Sequence, residues 1–235
     1  MSNQIVVLAG GLATRLYPIT EKIPKAMVEV AGKPFFSHQI ELFKKNGITN
    51  IVMCIGHLGE QIEAYYGDGK KFGVSIVYSK EDKKLDTGGA IKNALPYLDE
   101  TFFVIYGDAY LLCDYQKAYK FFEKNDGKGL MMVYQNNNQL EPSRVLLDGI
   151  YVKKYQKDPP PKGAKFMEFG LNILPRSIID VPGEVFPISV YFDILAEEGK
   201  LLAFESSQRF YEIGCAEGLK LTNEILSESK NAAKN

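Results

Sequence analysis

The sequence predicts an α/β fold, with a mostly parallel central sheet, helices on both faces and a small antiparallel extension. Three observations carry this. Short, wholly apolar runs recur through the first half of the chain, as strands buried on both faces require. Segments with apolar residues at helical spacing separate them, so strand and helix alternate and the connections are right-handed crossovers between parallel strands. The second half has a different texture, with a polar turn, an Asp-Gly hairpin signal and a proline-rich loop, which suits antiparallel strands.

The first buried strand is Ile5-Val6-Val7-Leu8, ended by Gly10-Gly11. Phe36, Ile40 and Phe43 then recur at helical spacing, and Gly47 stops that helix. Ile51-Val52-Met53-Cys54-Ile55 is the second strand, followed by a helix over 60–65, a strand over 74–78, a helix over 89–94 and a strand over 102–106. Such an exchange gives a Rossmann-like sheet, in which ligands bind outside the carboxyl ends of the strands. Leu8-Ala9-Gly10 and Tyr106-Gly107-Asp108 both fall at such ends. Further on, residues 135–139 read as a polar turn, Leu147-Asp148-Gly149-Ile150 as a hairpin and 158–163 as a surface loop. Helices are expected over about 188–198 and 217–226, and the polar tail 227–235 is expected to fray. The chain, 1–235, is expected to form one domain, with a first half to about 125 and a second half over about 126–226.

Length and composition narrow the function. With 235 residues and 46% hydrophobic residues the chain is long enough for one substantial core. A formal net charge of -1 gives no global field that favours nucleic acid or an anionic membrane. No apolar run approaches the ~18 residues of a membrane span, and the N-terminus enters a strand directly, so a cytoplasmic protein is expected. Cys54, Cys113 and Cys215 lack the spacing of a zinc site or a disulfide framework, and are expected to be buried free thiols.

The most informative stretch is Leu8-Ala9-Gly10-Gly11-Leu12-Ala13-Thr14-Arg15-Leu16-Tyr17-Pro18, followed by Pro24-Lys25-Ala26-Met27. Gly10 and Gly11 let backbone N–H groups approach a phosphate chain, and Arg15 and Lys25 bring charge to balance its oxygens. This ordered set resembles the N-terminal signature of the sugar-1-phosphate nucleotidyltransferases, close to G-G-x-G-T-R-L-x-P-L-T and then P-K-P-M. Ala13 stands where that family usually has glycine and is expected to keep a negative φ; Ala26 stands in place of proline.

The resemblance implies the nucleotide-diphospho-sugar transferase fold and a reaction in which a sugar-1-phosphate oxygen attacks the α-phosphorus of a nucleoside triphosphate. It implies roles in nucleotide binding for Leu8, Gly10, Gly11, Thr14 and Arg15, and catalytic roles for Arg15, Lys25 and Asp108. It also implies a Mg²⁺ cofactor, held by Asp108 of the Gly-Asp pair and by Glu212, which takes the place of an aspartate in Phe210-Tyr211-Glu212-Ile213-Gly214. As ordinary structural features, Asp108 would be a helix N-cap or turn residue and Thr87 a helix cap. Leu85-Asp86-Thr87-Gly88-Gly89-Ala90 resembles the family's L-G-T-G-G-A, which assigns Thr87 and Gly88 to the base and ribose. Glu81 sits where relatives place a side chain against the base edge. An ionised carboxylate only accepts hydrogen bonds, which leans towards guanine; a solvated loop position is the alternative.

On the acceptor side, Tyr155-Gln156-Lys157-Asp158 resembles the Glu-Lys pair of the family, which makes Lys157 the phosphate cation. Gly170 matches the glycine that lies against the sugar, and Glu168 is either a hydroxyl ligand or a solvated strand residue. Among such enzymes the chain is most similar to the short heptose-1-phosphate guanylyltransferases and the muramic-acid-type uridylyltransferases. Guanylyl transfer to a heptose 1-phosphate, for surface polysaccharide precursors, is therefore the first expectation. Uridylyl, cytidylyl or thymidylyl transfer to another sugar phosphate and a non-catalytic nucleotide-sugar-binding regulator are the alternatives. The joint presence of Arg15, Lys25 and Asp108 speaks against the regulator. A dinucleotide oxidoreductase would need G-x-G-x-x-G and a P-loop enzyme G-x-x-x-x-G-K-[ST]; neither is present. The expected partners are the two substrates, with no nucleic acid and no membrane, and a homo-oligomer is left open.

Overall fold

The computed structural model describes residues 2–139 and 142–232. In chain order the elements are β1 (Gln4–Leu8), β2 (Glu29–Val30), β3 (Lys33–Pro34), α1 (Phe35–Lys45), β4 (Asn50–Ile55), α2 (Gly59–Tyr66), β5 (Ser75–Lys80), α3 (Asp86–Asn93), β6 (Thr101–Tyr106) and β7 (Ala109–Leu111). They continue with α4 (Tyr115–Lys124), β8 (Gly129–Gln135), β9 (Val145–Asp148), β10 (Tyr151–Tyr155), β11 (Phe166–Pro175), α5 (Ser189–Glu197), β12 (Leu201–Glu205), β13 (Phe210–Glu212) and α6 (Ala216–Ala232).

One sheet runs in the order β5-β4-β1-β6-β11-β8-β12-β10-β9. Its first four strands are parallel, with Leu8 of β1 level with Cys54 on one side and Tyr106 on the other. β11 then pairs antiparallel with both β6 and β8, while β8 and β12 are parallel to each other. The antiparallel part is thus continuous with the parallel part, and the sheet is mixed beyond β6. The expected hairpin is β9–β10, in which Asp148 pairs with Tyr151 and Gly149 opens the loop with φ +58.

Because successive strand residues face opposite sides, Ile5 and Val7 belong to one core with Phe36, Phe43, Ile62 and Tyr115, whereas Val6 belongs to the other with Ala90, Ile91, Tyr191 and Phe192. Each such side chain contributes roughly 1.5–3 kcal/mol on burial, which is why Ile5 to Leu8 carries no polar residue. A third, smaller core of Val28, Val30, Phe35, Ile213 and Leu226 ties β2 and α1 to α6.

Three expectations are corrected. The last helix does not end at 226: α6 continues to Ala232, with no glycine or proline between Leu226 and Ala232 to break it; residues 233–235 lie outside the described residues. Only Cys54 is fully buried, whereas Cys113 and Cys215 are half-buried. Ala13 has φ +51, the left-handed region, held by its carbonyl, which accepts from Leu16 N at 3.0 Å and Thr20 Oγ1 at 2.8 Å. A Cβ in that conformation costs about 1–2 kcal/mol, partly offset by the greater unfolded freedom of glycine. Ala13→Gly should therefore stabilise the protein by up to about 1 kcal/mol, seen as a higher urea midpoint at constant m-value; a lower midpoint would show that the loop is unstrained. No helix of the described residues is long and apolar enough to cross a membrane.

Candidate active site

The carboxyl ends of β1, β4, β5 and β6 are stitched together by single backbone hydrogen bonds. Ala9 N donates to Cys54 O, Glu81 N to Ile55 O and Gly107 N to Leu8 O, each at 2.9 Å. Over this edge lies a cleft of about 220 Å³ lined by Leu8, Gly10, Gly11, Lys25, Glu81, Thr87 and Asp108. Lys84, Asp86 and Tyr106 also line it, and the motif-based assignment missed them. Their signal was adjacency: Lys84 and Asp86 flank Leu85, and Tyr106 precedes the Gly-Asp pair.

Glu81 is not a solvated loop residue. Its Oε2 accepts from Leu85 N at 3.2 Å, and its carboxylate packs on Gly10 where a Cβ would stand. Burial pushes its pKa up, with Asp86 adding to the rise and the Leu85 N–H opposing it. Thr87 is inside α3 rather than its cap, and its Oγ1 accepts from Ile188 N at 2.8 Å, tying the approach to α5 onto the cleft wall. The structure does not bring Gly88 to the cleft. Its Cα faces the Phe186 ring, its N donates to Phe186 O at 2.9 Å and its O accepts from the Tyr191 hydroxyl at 3.1 Å. Close packing of α3 on the segment before α5 accounts for this glycine. Thr14 is exposed and lines no part of the cleft.

At the other end of the cleft four charged side chains converge. The turn Lys25–Met27, anchored by buried Ala26, presents Lys25 Nζ at 2.7 Å from Asp108 Oδ2. β7 and β13 pair antiparallel, Glu212 opposite Ala109, and Ile213 N donates to Asp108 O at 2.9 Å, so Glu212 is carried to Asp108 by backbone pairing. Gly214 marks their meeting point: a Cβ there would stand 2.5 Å from Glu212 Oε2, 2.8 Å from Arg15 Nη2 and 3.1 Å from Asp108 Oδ2. Burial and then the like charge of Asp108 raise the pKa of Glu212, against the cations of Arg15 and Lys25.

Two neighbouring carboxylates suit a hard divalent cation, since Mg²⁺ takes one or two carboxylates and completes its shell with phosphate oxygens and water. Among the described residues no group of three or more potential ligands occurs. Gly214→Ala should leave the thermal midpoint unchanged, because only side-chain tips must yield, yet lower turnover about 10²-fold by displacing them. Wild-type turnover in that variant would remove the convergence from the chemistry.

A second cavity of about 190 Å³ shares Tyr106 and Asp108 with the cleft and is lined further by Arg144, Tyr155, Lys157, Glu168, Gly170 and Glu212. Gly170 has φ +98 within a register shift of β11 between Glu168 and Asn172, a bulge that only glycine occupies without strain. Glu168 is held there: Oε1 accepts from Gly170 N at 3.0 Å and Asn172 Nδ2 at 2.9 Å. Burial nevertheless raises its pKa. It is thus neither solvated nor loose. Arg144 had no motif to announce it; it enters the cavity because it precedes β9, at the mouth of the sheet.

The sequence profile of the family described as nucleotidyl transferase matches residues 4–144. The chain belongs to this family. It is 30% identical over 208 residues to the UTP–glucose-1-phosphate uridylyltransferase of Synechocystis sp., covering 77% of this chain and 54% of that protein. It is 35% identical over 135 residues to the D-glycero-alpha-D-manno-heptose 1-phosphate guanylyltransferase of Campylobacter jejuni, covering 57% of this chain and 59% of that protein. The chain thus spans little more than half the length of these relatives. HddC from Yersinia pseudotuberculosis, whose crystal structure was solved in complex with GMP-PN, has the same fold: TM-score 0.80, 28% identity, 95% of this chain and 99% of that one covered. The two sequence relatives differ in nucleotide and sugar, and HddC shares the α/β architecture described above.

Proposed function

We propose that the protein transfers a guanylyl group from GTP to a sugar 1-phosphate, a heptose 1-phosphate above all, and releases pyrophosphate. The observation that carries this is the meeting of two cavities at Asp108 and Tyr106, one walled by the glycine loop, the other holding Lys157 and Arg144. A triphosphate in the first and a sugar phosphate in the second have their reacting atoms at the shared wall. The acceptor oxygen is already an anion, so no strong general base is needed, and positioning and charge neutralisation do the work.

In this reading Gly10 and Gly11 offer backbone N–H groups to the triphosphate, and Lys25 and Arg15 neutralise charge that develops on it. Asp108 and Glu212 would hold Mg²⁺, which when bound supplies further positive charge to the phosphates. Lys157 and Arg144 hold the acceptor phosphate, and Glu168 fixes the bulge that lays Gly170 against the sugar. Glu81, an acceptor-only group beside Gly10, suits the paired N–H donors of guanine. The guanylyltransferase of C. jejuni and the guanine nucleotide bound to HddC support that base, and the former supports the heptose. Such nucleotide-activated sugars serve polysaccharide assembly.

The test is direct: the protein with Mg²⁺, inorganic pyrophosphatase and each of four nucleoside triphosphates is incubated against a panel of sugar 1-phosphates, and products are identified by mass. GDP-heptose as the dominant product is expected; a UDP- or CDP-sugar would replace the guanylyl assignment, and no nucleotide-sugar with any pair would leave a binding protein of the same fold.

A further inference from the structure

The donor cleft holds a third carboxylate, beside Glu81 and Asp108, that the proposed function leaves unused. Asp86 lines it together with Glu81 and Lys84. Its backbone has φ +60, a left-handed conformation that favours glycine, yet the position carries an acidic side chain. Asp86 Oδ1 accepts from its neighbour Thr87 N at 2.7 Å, and no other donor meets the carboxylate among the described residues. The packing of α3 does not require this side chain, which is exposed on the cleft side while Gly88, Gly89, Ala90 and Ile91 make the buried face. Asp86 also lies close enough to Glu81 to push the pKa of that carboxyl up. Apart from Lys25 and Asp108, which bond each other, two acceptor-only groups and one donor-only ammonium thus face the cavity.

The pairing edges of the four common bases distinguish between occupants. Guanine presents one acceptor, O6, and two donors, N1–H and the N2 amino group. Uracil and thymine present one donor between two acceptors, cytosine one donor and two acceptors, and adenine one of each. Only guanine complements a lining of one donor and two acceptors without leaving an anionic oxygen against a carbonyl. Resting on the guanylyl reading above, we propose that Asp86 is a second base-reading residue, which accepts from the exocyclic amino group of guanine while Glu81 accepts from N1–H and Lys84 meets O6.

ITP isolates the contact, because hypoxanthine differs from guanine only in lacking that amino group. The measurements are kcat/KM for GTP and ITP, and calorimetric binding of each nucleotide without acceptor, in the wild type, Asp86→Gly and Asp86→Asn. Glycine is the residue that the backbone at 86 favours, so folding is not at risk. The wild type should prefer GTP over ITP by about tenfold to a hundredfold, the worth of one hydrogen bond to an ionised acceptor. Asp86→Gly should bring the ratio close to one by weakening GTP and leaving ITP unchanged, with Asp86→Asn in between. A preference for GTP whose ratio to ITP is the same in all three proteins overturns this inference alone, as does an equal loss with both nucleotides. A wild-type preference for another base overturns the guanylyl reading and this inference with it.

Discussion

Asp108→Asn is expected to abolish Mg²⁺-dependent formation of the nucleotide-sugar while the protein remains folded. Asp108 stands on the wall between the two cavities, its Oδ2 bonded to Lys25 Nζ and within reach of the point where Arg15 and Glu212 meet. The amide keeps the size of the carboxylate and loses the charge on which a hard cation depends. The strand end itself is held by main-chain bonds, Gly107 N to Leu8 O and Asp108 O from Ile213 N, so the side chain is not needed to place it. The ion pair with Lys25 is about one-fifth exposed on each side, so its loss is felt more than that of a surface pair, but the substitution also removes the repulsion between Asp108 and Glu212, which offsets it. Pyrophosphate release should fall by at least the 10²–10³ typical of one lost preorganised charge, calorimetry should show weakened Mg²⁺ binding, and the thermal midpoint should move little. Full Mg²⁺-dependent turnover would place the metal elsewhere.

Legibility in the sequence followed locality. The apolar strands, the glycine loop and the Gly-Asp pair each act over a few residues, and alternation announces the parallel strands β1, β4, β5 and β6 but not their order β5-β4-β1-β6 in the sheet. β11 was harder. It inserts between β6 and β8, more than thirty residues distant in sequence from each, and its bulge breaks the two-residue alternation that would announce a strand. The amphipathic α4, capped by Asp114 Oδ1 on Lys117 N at 2.9 Å, was overlooked beside the stronger motif at Asp108. Among the residues that line the two cavities, Asp108, Lys25, Lys157 and Gly170 carry family-like motifs in the sequence. Gly88 misled because a packing glycine and a ligand-facing glycine have the same letter; only the Phe186 ring above its Cα tells them apart. Arg144 and Asp86 needed three dimensions, since one enters the second cavity by strand pairing and the other is marked by the sign of its φ.

Lys25→Ala and Arg15→Ala should each lower turnover about 10²–10³-fold while the protein remains folded. The two cations reach the same carboxylate pair from different segments, Lys25 through its bond to Asp108 and Arg15 through the contact point at Gly214. Neither supports the core, because Arg15 is exposed and the apolar anchor of the Lys25 turn is its neighbour Ala26. In the proposed reaction both neutralise charge that grows on the triphosphate as pyrophosphate departs. Their loss should therefore appear in kcat more than in KM for the sugar phosphate. Groups that act as a unit are not additive, so Lys25→Ala combined with Asp108→Asn should be slower than Asp108→Asn alone by much less than the single Lys25→Ala effect. Steady-state pyrophosphate release for the two singles and the double, with thermal midpoints in parallel, checks both statements. Near-wild-type turnover in either single variant would remove that cation from the phosphate site, and full multiplicativity in the double would show that Lys25 acts on the triphosphate independently of Asp108.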